Sequence, residues 1–283
     1  MINNINGLFI IGNKRSGSTQ MMRLLNLHPK IFISNETDIL WILYHYHNNI
    51  KLKNYIHDSP TGMNKSIELA GHLLSENNSV LENFILFQKQ VMNKGFLSGD
   101  AFNKENLTYI GDQKPYQNAD PLLIPFILEN FPKAKFIHLI RHPYLVTTSS
   151  KLFLNGKNDI WGNLSDAELM EKWCFHEKNV IEAIDKHNID FIRINYSDLI
   201  LDTKPQMGAI YDFLNLEYNP EILKKTREIT KYNYKPINNY PRTIEQKEIM
   251  LEYGFKENFG LFEAKIVPYL FKYYNKVISK LKK

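Results

Sequence analysis

The segment Leu8-Phe9-Ile10-Ile11-Gly12-Asn13-Lys14-Arg15-Ser16-Gly17-Ser18-Thr19 constrains the fold of this chain more than any other. Four consecutive apolar residues have the length of a strand buried on both faces. Gly12 and Gly17 bound a short loop, and Met21, Met22, Leu24, Leu25 and Leu27 follow at helical spacing. The two glycines have the spacing of a phosphate-cradling loop, G-x-x-x-x-G-K-[ST]. Ser18 stands where an ATPase or GTPase carries lysine, and the basic residues, Lys14 and Arg15, lie inside the loop. Such a loop fits an anionic nucleotide without the usual β,γ-phosphate and Mg²⁺ arrangement. Taken alone, the two glycines are also compatible with an ordinary strand-to-helix turn.

At 283 residues the chain is long enough for one substantial core. It carries 35 basic and 30 acidic residues, a formal charge of +5, which favours a polyanionic small molecule but is too mild to imply nucleic acid. The single Cys174 excludes an intrachain disulfide and a multi-cysteine metal site, and it fits a reducing compartment. No paired cysteines suggest a metal, and His45 and His47 are two apart and do not share a helix face. No run of about 18 apolar residues occurs, so no membrane span is expected. The first strand starts close to Met1, so no signal or transit peptide is expected, and the expected location is cytoplasmic.

Further strand-like runs are Ile31–Ser34, Thr108–Gly111, Lys135–Ile140 and Asp190–Ile194. Helical patterns lie between them. Pro121 to Phe131 reads as a helix with Asn118 or Asp120 near its cap. Ser165-Asp166-Ala167-Glu168 is a capping box that opens a helix to about Lys186, with Trp173, Cys174 and Phe175 expected in the core. Strands alternating with helices imply an α/β fold with a parallel sheet of about five strands. Residues 36–107 form a long, mainly helical insert, interrupted at Asp58-Ser59-Pro60-Thr61-Gly62, and such inserts often cover the site at the strand ends. Residues 217–283 read as a helical C-terminal segment with an irregular stretch from Tyr232 to Arg242, and the whole of 1–283 is expected to be a single domain.

Three segments carry chemistry. In the first, backbone N–H groups at a helix N-terminus, with Ser16, Ser18 and Thr19 as hydroxyl donors and Lys14 and Arg15 as cations, suit phosphate or sulfate. In the second, Phe136-Ile137-His138-Leu139-Ile140-Arg141-His142-Pro143, a buried strand delivers Arg141 at its end. Ser149 lies eight residues later, about two turns into the helix that Pro143 starts. In the third, Asp190-Phe191-Ile192-Arg193-Ile194-Asn195-Tyr196-Ser197-Asp198-Leu199, a strand ends at a tyrosine and turns into a helix. Two strand ends that both present cations and hydroxyls imply a ligand with two separate anionic groups. Each segment has a plainer reading too: Arg141 capping a carboxylate, Ser149 solvated, Tyr196 packing.

In that order and spacing the three segments resemble the sulfotransferases that use 3′-phosphoadenosine 5′-phosphosulfate (PAPS). Arg15-Ser16-Gly17-Ser18-Thr19 resembles the family's loop for the 5′-phosphosulfate. Arg141 and Ser149 resemble its 3′-phosphate pair. Tyr196-Ser197-Asp198-Leu199 with Phe213-Leu214-Asn215-Leu216 resembles its strand-end tyrosine segment. His28-Pro29, Ile31–Ser34, Glu36-Thr37 and Gly111-Asp112-Gln113-Lys114-Pro115 are similar to the tyrosylprotein and bacterial branch, which supplies a glutamate base and a lysine there. The resemblance covers about residues 7–40 and 108–216. It departs at Phe153, where a further family arginine is absent, and leaves Lys235, Asn238 and Arg242 as unaligned candidates for the C-terminal nucleotide loop.

The resemblance implies a three-layer P-loop-like fold and in-line transfer of a sulfuryl group from PAPS to an acceptor hydroxyl of a carbohydrate, tyrosine or small metabolite, with no metal. Glu36 takes the acceptor proton; Arg15, Lys14 and Lys114 stabilise charge on the sulfuryl and phosphate oxygens. Lys14, Arg15, Ser16, Gly17, Ser18, Thr19, Arg141, Ser149 and Tyr196 bind PAPS. Two other readings stand beside it. One is a P-loop kinase or NTPase, disfavoured by Ser18 and by His138 and Arg141 where a Mg²⁺-binding aspartate is sought. The other is a non-catalytic nucleotide-binding protein of the same fold, against which Glu36 and Lys114 weigh. Acceptor identity and oligomeric state are not encoded legibly.

Overall fold

The computed structural model describes residues 4–51, 60–95, 101–154, 160–217 and 243–255. Lys235, Asn238, Arg242 and the terminal lysines lie outside the described residues, as does the start of the expected break at Asp58 and Ser59. In chain order the elements are β1 (Asn6–Gly12), α1 (Ser18–Asn26), β2 (Ile31–Asn35), α2 (Ile39–His47), α3 (Pro60–Leu73), α4 (Val80–Lys94), β3 (Tyr109–Gln113), α5 (Pro115–Asn118), α6 (Leu123–Asn130), β4 (Lys135–Ile140) and α7 (Pro143–Leu154). A 3₁₀ turn at Ile160–Asn163 precedes α8 (Asp166–His187), β5 (Phe191–Asn195), α9 (Tyr196–Leu201), α10 (Thr203–Phe213) and α11 (Ile244–Glu252).

The five strands form one parallel sheet in the order β2-β3-β1-β4-β5. Alternation along β1 shows why both faces are covered. Phe9 and Ile11 join a core with Phe84, Phe87, Ile124, Ile127 and Val180 from α4, α6 and α8. Leu8 and Ile10 join the opposite core with Met21, Leu24, Leu25, Met207, Ile210 and Tyr211 from α1 and α10. Successive side chains point to opposite faces, so a continuous apolar run serves both layers. Phe9 is fully buried and meets Phe131 edge-on at a centroid separation of 5.3 Å. Gly111 lets β3 close on β1: a Cβ there would lie 1.7 Å from the Leu8 carbonyl oxygen.

The expected strands are present, with β3 running on to Asp112 and Gln113, beyond the expected end at Gly111. The capping box that opens α8 has both reciprocal bonds, between Ser165 and Glu168. Three local expectations need correction. The Pro121–Phe131 helix is shorter, Leu123–Asn130, and no side chain caps it at Leu122. Asp120 does stand near its start, as expected, accepting the Leu122 N–H at 2.9 Å, but Asn118 does not: it ends a short helix and donates to the Ile10 and Asp112 carbonyls at 3.1 and 3.0 Å. Phe175 is 57 % exposed, because it lies on the helix face opposite Trp173, Glu177 and Val180.

Candidate active site

All five strands end on the same edge of the sheet, and each expected site segment follows one of those ends. A parallel sheet places its ligand crevice there. The loop from Gly12 to Gly17 leaves the central strand. Its turn is closed by the Ser16 N–H donating to the Asn13 carbonyl at 3.3 Å, and Arg15 adopts a left-handed backbone, φ 66°. Gly17, at φ 101°, opens α1 without a side-chain cap and with no acidic residue in the first turn. A side chain at Gly17 would be strained and would sit 2.1 Å from the Tyr196 ring, so the third segment packs directly on the first. The N–H end of α1 thus faces the crevice with its positive dipole uncompensated.

The second segment arrives at the same place. The Arg141 guanidinium lies 4.7 Å from the Tyr196 ring centroid, and its Nη1 donates to the Arg15 carbonyl at 2.8 Å. The Arg15 Nε donates to Ser149 Oγ at 3.2 Å. Arg15, Gly17, Arg141, Ser149 and Tyr196, spread over the sequence, therefore form one cluster. Two buried polar atoms, Ser16 Oγ in the loop and Arg141 Nε in the cluster, have no hydrogen-bond partner among the described residues. These orphan donors and the uncapped helix end fit a ligand that carries two anionic groups.

The other expected residues form a second wall. Glu36 follows β2 at φ 51° and donates its N–H to the Gln113 carbonyl at 3.1 Å, which extends the β2–β3 ladder by one bond. Asp38 is also left-handed, φ 58°. Non-glycine residues in that conformation cost about 1–3 kcal/mol each and persist only where their surroundings hold them. The holding groups are visible. Lys114 is fully buried and ion-paired with Asp38, which also accepts from Gln117 Nε2 at 2.8 Å. Asp112 accepts from Ser34 Oγ at 2.6 Å and from the Thr37 N–H and hydroxyl at 3.2 and 3.0 Å. Burial pushes the Asp112 carboxyl up to about 6 against the pull of those donors. Gln113 Nε2 reaches Thr19 Oγ1 at 3.3 Å and Asn35 Oδ1 at 2.8 Å, linking this wall to the loop helix.

Lys14 is nearly buried, with its ammonium 5.9 Å from the Tyr116 ring and 5.7 Å from the Trp161 ring. Lys114 is 5.8 Å from the same Tyr116 ring, so that ring links the two expected lysines. His176 stacks on Trp161 at 5.6 Å, and burial pushes its imidazole down to about 4, leaving it neutral. Among the described residues no group of three or more His, Cys, Asp or Glu could hold a metal, and no helix is long and apolar enough to cross a membrane.

Sequence reading missed Asn13, Asp38, Asp112, Gln113 and Glu177. Only Glu177 carries a local signal: it interrupts the apolar stripe of α8 between Trp173 and Val180, where a charge on a buried face calls for a partner.

Fold and site together define a doubly covered parallel α/β protein with a glycine-bounded loop carrying Lys14 and Arg15 at the carboxyl edge of its central strand. Residues 7–220 match the sulfotransferase family, and the chain belongs to that family. It is 26 % identical over 259 residues to a protein-tyrosine sulfotransferase of Drosophila melanogaster, covering 87 % of this chain and 45 % of that protein. Over 233 residues it is 24 % identical to protein-tyrosine sulfotransferase A of Caenorhabditis elegans, covering 79 % of this chain and 53 % of the relative. The chain thus spans about half the length of these curated relatives. A sulfotransferase domain from the curacin biosynthetic pathway shares the fold, with a TM-score of 0.60 at 18 % identity over 89 % of this chain and 98 % of that domain.

Proposed function

We propose that the chain is a PAPS-dependent sulfotransferase that moves a sulfuryl group to an acceptor hydroxyl. The observation that carries this reading is the convergence of Arg15, Gly17, Arg141, Ser149 and Tyr196 into one cluster at the carboxyl edge of the sheet. Such a cluster offers two cationic ends for one nucleotide. The α1 N-terminus, Arg15, Ser16, Ser18 and Thr19 hold the 5′-phosphosulfate; Arg141 and Ser149 hold the 3′-phosphate. The Tyr196 ring and Gly17 set the spacing between the two ends.

PAPS supplies a sulfuryl group bonded to a phosphate that leaves readily. In the transfer the acceptor oxygen forms a bond to sulfur as the bond from sulfur to the phosphate oxygen breaks, and the acceptor proton passes to Glu36. Arg15 and Lys14 stabilise the charge that builds on the sulfuryl oxygens and the departing phosphate. Lys114 shares that task at reduced strength, since Asp38 offsets its charge; its second task is to hold the turn that carries Glu36. No γ-phosphate has to be gripped, which suits a loop with Ser18 in place of lysine.

Calorimetric titration with the product nucleotide, adenosine 3′,5′-bisphosphate, and separately with ATP and Mg²⁺, tests the reading. Micromolar affinity for the bisphosphate without affinity for ATP is expected. The reverse preference would transfer the site to a kinase, and silence with both ligands would remove it from nucleotide chemistry.

A further inference from the structure

We infer that a single turn of α8, from Trp173 to Glu177, positions both anion-binding ends of the site, with Glu177 and Trp173 as positioning residues for the nucleotide. The inference rests on the nucleotide reading above. Glu177 is fully buried, and a carboxylate is tolerated there only if its oxygens are satisfied. Three donors converge on it. Asn13 Nδ2 lies 2.5 Å from Oε1, and His138 Nε2 and Tyr253 Oη lie 2.8 and 2.9 Å from Oε2.

The protons in this network can be assigned by chemistry. Arg193 Nε, which can only donate, faces His138 Nδ1 at 3.2 Å, so Nδ1 is the acceptor and the imidazole proton sits on Nε2, aimed at Glu177. Burial and the Glu177 charge push the Tyr253 phenol far up, which keeps it a donor. The Arg193 guanidinium covers the Tyr253 ring at 4.7 Å. Asn13 has only one orientation that works: its amide nitrogen donates both to Glu177 and, at 3.1 Å, to the Trp173 carbonyl.

Asn13 is the second residue of the anion loop and the acceptor that closes the loop's own turn. Its side chain therefore fixes where Lys14, Arg15 and Ser16 stand. One helical turn away on the same face, Trp173 Nε1 donates to the Arg141 carbonyl at 3.2 Å. The same turn of α8 thus grips the loop proposed for the 5′ end and the backbone of the residue proposed for the 3′ end. The separation of the two sites is set by α8 as well as by the sheet.

The test is calorimetry on Asn13→Ala, Glu177→Gln, their double variant and Trp173→Phe, with adenosine 3′,5′-bisphosphate and with adenosine 5′-monophosphate, alongside circular dichroism and urea midpoints. Asn13→Ala and Glu177→Gln should each weaken the bisphosphate about tenfold, with the double variant no weaker than the worse single one, because both remove one shared contact. Trp173→Phe should reduce the preference for the bisphosphate over the monophosphate, since it frees the Arg141 end only. A purely structural role lowers the urea midpoint and leaves the affinity of the folded protein alone; affinities within twofold of wild type, or additive losses in the double variant, overturn the inference. If Glu177→Gln does not fold, Asn13→Ala and Trp173→Phe decide the matter by the same criteria. Wild-type protein that does not bind the bisphosphate overturns the nucleotide reading itself, a result separate from normal wild-type binding with unaffected variants.

Discussion

Glu36 and Arg141 have roles that single substitutions separate. Glu36→Ala should lower kcat by about a hundredfold or more, the scale of a lost general base, while affinity for adenosine 3′,5′-bisphosphate stays near wild type. Turnover close to wild type would remove Glu36 from the chemistry. Arg141→Ala should weaken PAPS much more than adenosine 5′-phosphosulfate, which lacks the 3′-phosphate; equal losses in competition titrations would relocate the 3′ site. The strain at Arg15, Glu36 and Asp38 belongs to this scale too. These three lie on the loops proposed to carry the chemistry, where neighbouring ladders and buried pairs hold them, whereas the other left-handed non-glycine residues described are all asparagines.

The β2–β3 edge is clamped by Asp112, and the clamp has an unusual pH signature. Its carboxyl is pushed up to about 6, from the ordinary range near 4. The resulting stability is full below about pH 4 and is lost as pH rises through 6, about 3 kcal/mol in all. His176, pushed down to about 4, slopes the other way: its contribution is present above about 6.5 and lost as pH falls. Asp112→Asn removes only the first slope. The variant's stability relative to wild type should therefore climb between pH 4 and 7 in urea titrations, and a flat difference would deny the burial argument. A second clamp ties the end of the insert to α1. Lys104 Nζ donates to the carbonyls of Asn26, His28 and Ile31, and burial pushes its ammonium down to about 8. Lys104→Met leaves those carbonyls, at the end of α1 and the start of β2, without their cation and should cost about 1–3 kcal/mol in the same assay.

Across the whole molecule, legibility followed the range of the interactions. Strands buried on both faces announce themselves as apolar runs, and the residues at their carboxyl ends inherit a place on one edge, so Arg15 and Arg141 could be read as two ends of one ligand site, whereas Tyr196 entered that site only through the family resemblance. The supporting residues could not. Asp38 finds its lysine 76 positions away and Asn13 its glutamate 164 positions away, and no local pattern encodes such pairings. The same long range governs assembly. The central strand has both its neighbours far downstream: Asn6 pairs with Tyr109, and Leu8 with Lys135. At about 5–20 residues per second on the ribosome, the Leu8–Ile11 segment waits roughly 5–20 seconds for its first partner strand to be synthesised. A chain built on such distant pairings should refold slowly, in milliseconds to seconds, by stopped-flow fluorescence of its tryptophans. Until β3 and β4 arrive, the apolar run of the central strand is an unpaired ribbon with two open sides, and chaperone occupancy during translation should peak in that interval.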